Sequence, residues 1–82
     1  MNKQKLLEKI LAGSKNVRFD DFVTLVRGFG FEQSRVRRSH HIFVHPQVPE
    51  LLNLQELHGQ VKLYQVRQYL QLVEQYNLKL EG

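Results

Sequence analysis

The chain is 82 residues long, 41% hydrophobic and 24% charged, with twelve Lys and Arg against eight Asp and Glu for a formal charge of +4. This is globular composition for one domain, residues 1–82, burying only roughly 60 to 65% of its unfolded surface, so a large enclosed cofactor site is excluded. The lack of cysteine excludes disulfides, iron–sulfur clusters and thiolate zinc sites, and a pI near 9.7 favours polyanionic partners without naming one.

Leu6, Leu7, Ile10 and Leu11 share one helical face, which predicts a helix over 2–12, stopped by Gly13-Ser14, with Lys3, Lys5 and Lys9 facing outward. No apolar h-region opens the chain and no run approaches the roughly 20 apolar residues of a membrane span. A cytoplasmic protein without a membrane partner is expected. Asn16 is placed to cap a second helix whose Phe19, Phe22, Val23 and Val26 form a stripe, with Asp20 and Asp21 at its positive end. Gly28 and Gly30 end it.

The helical period then disappears. A hairpin is predicted with a first strand within 31–37, a turn near Arg37-Arg38-Ser39 and a second strand within 40–45. Residues 47–50 read as a loop. Leu51 to Leu57 reads as a third strand, with Leu52 and Leu54 on one face and Asn53 and Gln55 on the other. His58-Gly59-Gln60 is a further turn, and Val66, Tyr69, Leu70, Val73 and Tyr76 give the longest helix, ending about Asn77. These elements predict an α+β sandwich in which helices cover one face of a three-stranded antiparallel sheet.

Between Gln33 and Val48 lie Arg35, Arg37, Arg38, His40, His41 and His45 and no carboxylate. Arginines on a hairpin beside histidines offer charge-assisted contacts to phosphate and groups that titrate near neutral pH. A solvated basic turn with surface histidines explains the same composition. Metal binding is not expected, because His40 and His41 point to opposite faces of a strand and no acidic ligand is near. Ser39 beside His40 is not a catalytic triad; a turn or phosphate contact suits it better. No phosphate loop or dinucleotide fingerprint is present, so no cofactor is expected. The five phenylalanines fit a core. Tyr64, near Lys62 and Arg67 in the first turn of the last helix, can either present its ring to a ligand or pack on the sheet.

Phe29-Gly30-Phe31, then Arg38-Ser39-His40-His41-Ile42-Phe43-Val44-His45-Pro46, then Tyr64-Gln65-Val66-Arg67-Gln68-Tyr69-Leu70 with Gln75-Tyr76-Asn77-Leu78, resemble the HicA family of bacterial toxins. The resemblance covers roughly 17–78, with 1–15 as an N-terminal helical extension. It implies an α-β-β-β-α fold like that of double-stranded RNA-binding domains. It also implies a metal-independent endoribonuclease that cleaves mRNA and is neutralised by a HicB-type antitoxin, with DNA bound only through that antitoxin. The histidine of the family's Gly-Ser-His falls on His40, the expected catalytic residue, and Arg37, Arg38, Ser39, His41, His45 and Tyr64 are candidates for RNA binding. The family glycine is replaced by Arg38. A noncatalytic RNA-binding module and a pure protein-interaction domain are the other readings of the same residues.

Overall fold

The computed structural model describes residues 2–13 and 15–80. Helix α1 (Lys3–Leu11) starts at Asn2, whose side-chain oxygen accepts the Lys5 N–H at 2.8 Å. Leu6 and Ile10 are buried and Leu7 is half-buried, but Leu11 turns out to solvent at 66% exposure, so the apolar face is narrower than expected. Of the predicted stop, Ser14 lies outside the described residues. Lys3 is half-buried, unlike the exposed Lys5 and Lys9.

Helix α2 is Phe19–Gly28, and Asn16 does not cap it. The chain before it is drawn into extended pairing instead: Arg18 bridges to Gln60, Val61 N–H donates to the Val17 carbonyl, and Phe19 N–H donates to that of Gly59. Helical geometry therefore begins three residues after Asn16, behind an extended Arg18 that makes no side-chain cap. Asp20 and Asp21 occupy the first turn as predicted.

Strands β1 (Glu32–Arg37), β2 (His40–His45), β3 (Val48–Leu57) and β4 (Gln60–Val61) form one antiparallel sheet in the order β1-β2-β3-β4, and α3 (Leu63–Gln75) follows. The sheet thus has four strands rather than three. Gln60 belongs to the short β4 rather than to a turn; the two residues of the β3–β4 loop, His58 and Gly59, both have positive φ, the conformation that closes a tight hairpin. The expected loop over 47–50 shrinks to a turn, because Val48 pairs with His45 and already belongs to β3. Pro49 is accommodated there since the β2–β3 register shifts between Phe43 and His45.

Alternation places Phe43, Leu52 and Leu54 in the core with Phe22, Leu25, Val26, Val66 and Tyr69, while their strand neighbours Val44, Leu51 and Asn53 face out. The helices cover that first face, giving a small α+β domain with an antiparallel four-stranded sheet. Leu6 and Ile10 enter the same core, so α1 packs as part of the domain. Tyr69 stands among Phe22, Phe29 and Phe31 with ring centroids 5.1 to 5.9 Å apart, and all five phenylalanines are buried. Among the described residues, no helix is long and apolar enough to cross a membrane.

Candidate functional site

A β-bulge decides which side chains share the open face of the sheet. Glu32 pairs with Val44 and Gln33 with Phe43, but the register then slips so that Arg35, not Ser34, pairs with Ile42, followed by Val36 with His41 and Arg37 with His40. Unbroken pairing would set Val36 opposite His40 and turn Arg35 toward the helices, because a one-residue slip exchanges the two faces of a strand. With the slip, Arg35 and Arg37 join Ile42 and His40 on the open face. Asn53 pairs with Ile42 on the next strand and is the diagonal neighbour of His40.

Arg35, Arg37, Arg38, His40, Ile42 and Asn53 line one depression of about 450 Å³, and no carboxylate among the described residues does. It is shallow and solvent-open, suited to an extended anionic chain more than to an enclosed small molecule. The His40 Nδ1 lies 3.1 Å from the Asn53 side-chain oxygen. Arg38 opens the two-residue β1–β2 turn with φ +59, the left-handed conformation usually taken by glycine, and so carries a cation where the backbone prefers no Cβ. Ser39 completes that turn; its hydroxyl oxygen accepts from the Gln55 side chain at 3.4 Å.

His41, His45 and Tyr64 lie elsewhere. The His41 ring packs on Phe19 on the helix side of β2, with centroids 4.7 Å apart. His45 donates from Nε2 to the Phe29 carbonyl at 3.0 Å and accepts the Gln47 N–H on Nδ1 at 3.0 Å, which fixes the orientation of the ring against Phe31. Gly30, at φ +96, lets the chain pass this ring; a Cβ there would stand 2.8 Å from His45 Nε2. Tyr64 is exposed at the start of α3, with the Lys62 ammonium 5.9 Å from its ring centroid, and does not line the depression. Among the described residues, no three His, Asp or Glu side chains converge as metal ligands.

Asn53 and Gln65 carry parts of this arrangement that the sequence reading did not assign to them. Gln65, 4% exposed on α3, accepts the Gln55 N–H at 3.0 Å and donates to the Asn53 carbonyl at 3.2 Å. Its amide thereby takes the place of a strand alongside β3, just before β4 begins, and fixes the backbone that carries Asn53. The signal available in sequence was a polar residue flanked by Val66 and Tyr69 on a helix otherwise apolar on that side. Comparison with protein-family models, curated protein sequences and solved structures found no match to this chain.

Proposed function

We propose that the protein is a HicA-like toxin, a cytoplasmic endoribonuclease that cleaves mRNA without a metal and is held inactive by a HicB-type antitoxin. In this reading 17–78 form a core like that of double-stranded RNA-binding domains, with β4 (Gln60–Val61) inserted before its last helix and α1 added in front. One observation carries it: three arginines and His40 meet in a depression on an exposed sheet face, lined by no carboxylate among the described residues. Arginines there bind successive phosphates, and the imidazole is positioned for proton transfer.

The reaction follows from those groups. As the ribose 2′-oxygen bonds to the adjacent phosphorus, its proton passes to the His40 imidazole, and the bond from phosphorus to the 5′-oxygen breaks with that oxygen taking up a proton. The products are a 2′,3′-cyclic phosphate and a 5′-hydroxyl. Arg35 and Arg37 offset charge that accumulates on the phosphoryl oxygens. DNA, lacking the 2′-hydroxyl, is not cleaved.

Labelled RNA incubated with the protein in EDTA is expected to yield fragments ending in cyclic phosphate. His40→Ala should slow cleavage by roughly 10² to 10⁴-fold, the usual worth of a general base, while circular dichroism stays unchanged. Equal cleavage by the variant would refute the assignment. The second reading, a noncatalytic RNA-binding module, is favoured by Arg38, which places an added cation in the turn where the family carries glycine. It predicts a shifted, intact RNA band in the same experiment. An antitoxin added at equal stoichiometry should end cleavage.

A further inference from the structure

We infer that Asn53 is a positioning residue for His40, holding the ring through Nδ1 in the tautomer that leaves Nε2 free to accept a proton. The inference rests on the nuclease reading for its chemical purpose, but its physical content is separate. An amide oxygen only accepts hydrogen bonds, so the His40 nitrogen 3.1 Å from Asn53 Oδ1 carries the hydrogen. In a neutral imidazole the other nitrogen is then a bare acceptor, because the tautomer is set by whichever bond one nitrogen makes. The ring makes no other hydrogen bond among the described residues, leaving Asn53 alone to set it.

Asn53 can impose this because it is itself anchored. Its backbone carbonyl accepts from Gln65 Nε2 on the β3 edge, and its strand pairs with β2 on the other side, where Ile42 is its partner. A side chain rising from a backbone held on both sides has little freedom beyond its own two torsions. The chain of support runs from buried Gln65 on α3, through β3, to the imidazole on β2. In the cleavage step the 2′-hydroxyl proton goes to Nε2, and the resulting imidazolium keeps donating from Nδ1 to Asn53. The amide therefore accepts the same bond before and after transfer, and no reorientation is needed at the moment of reaction.

The test uses the ¹⁵N-labelled 82-residue chain at alkaline pH, with long-range proton–nitrogen spectra to read which His40 nitrogen bears hydrogen. The wild type should show Nδ1–H. Asn53→Leu, on an exposed strand position beside Leu51, should return the ring to the Nε2–H form that predominates for histidine in water. It should also lower the single-turnover rate at saturating RNA by roughly 10-fold or more, since a fraction of base catalysis is lost, with half-saturation unchanged. Asn53→Asp retains an oxygen acceptor and should keep Nδ1–H and recover most of the rate. An Nε2–H tautomer in the wild type, or one unmoved by Asn53→Leu, overturns the inference. Undiminished cleavage by His40→Ala would remove the nuclease reading alone, leaving the tautomer spectra to decide whether Asn53 sets the ring.

Discussion

Replacing Gln65 with Leu tests whether one buried amide holds the β3 edge. The variant keeps similar volume and stays helical, but it strips the acceptor from the Gln55 N–H and the donor from the Asn53 carbonyl. Each backbone group left without a partner costs about 1 to 3 kcal/mol when buried. Both bonds are only part-buried, which puts the pair in the lower half of that range, and the added apolar contact of Leu offsets about 1 kcal/mol. The expected net loss is therefore about 1 to 3 kcal/mol, set against a total of roughly 4 to 12 kcal/mol for a domain of this length.

Urea unfolding followed by circular dichroism should show a lower midpoint with unchanged slope, and the melting temperature should fall by roughly 4 to 24 °C at about 4 to 8 °C per kcal/mol. Hydrogen exchange localises the effect: the Gln55 amide should exchange faster in the variant by more than the global loss explains in its neighbours. A loss below about 1 kcal/mol, or an equally protected Gln55 amide, would show that the β3 edge finds other partners and that Gln65 does not anchor Asn53.

Tyr69→Phe should raise stability by about 1 kcal/mol, because the Tyr69 hydroxyl is buried with no partner among the described residues and its removal costs no hydrogen bond. Burial also raises the Tyr69 phenol above its ordinary 10.0. A group raised in the folded state contributes stability that is complete below pH 10.0 and is lost above it, so alkaline unfolding of the wild type should be delayed in the variant. A less stable Tyr69→Phe would mean that the hydroxyl is bonded after all. Arg38→Gly should gain about 0.5 to 1 kcal/mol in chemical denaturation by relieving a left-handed residue, net of the entropy glycine adds to the unfolded chain. Destabilisation would place the value of Arg38 in contacts of its side chain. Converting Arg35 and Arg37 together to Gln should reduce the slope of log affinity for single-stranded RNA against log salt by roughly 1.4, whereas Lys5 and Lys9 on α1 should leave it unchanged; the reverse result would move the RNA to the other side of the molecule.

The hairpin was legible within a residue because its signals are local: β-branched and aromatic residues from His40 to Val44, a proline just beyond, and a two-residue turn between. Part of the core was legible for the same reason: Phe19, Phe22, Val26, Val66 and Tyr69 are buried, whereas Val23, Leu70, Val73 and Tyr76 are half-buried and the core takes Leu25 and Leu72 instead. What escaped is set by pairing. Asn16 has the chemistry of a cap, yet Val17 and Arg18 find partners in Gln60 and Val61, and that long-range pairing outweighs a local preference. β4 is two residues long, too short for any period to show. Within the candidate site, the basic segment and His40 could be named from sequence, but not the face of the sheet on which each arginine lies. Arg35 and Arg37 reach the His40 face only through the slip after Gln33, and a bulge leaves no clear mark in Gln33-Ser34-Arg35. The pairing of His40 with Asn53 depends on the β2–β3 register across thirteen residues, which shifts once along its length.

The pleat of β2 also distributes the three neighbouring histidines among different tasks. His41 packs on Phe19 and His45 ties the segment after α2 to the β2–β3 turn, both on the helix side, while His40 alone faces the depression. Strand alternation keeps the first two from the open face unless β2 turns over, and β2 is hydrogen-bonded on both edges. In the proposed reaction a second group must protonate the departing 5′-oxygen, and neither of these imidazoles is placed to do so. That proton then comes from water or from His40 itself, now charged and still held by Asn53. In that reaction the arginines act by stabilising charge on the phosphoryl oxygens, since a guanidinium only donates hydrogen bonds. On the proposed reading this surface offers one imidazole among arginines, and its efficiency depends on how firmly the sheet holds that ring.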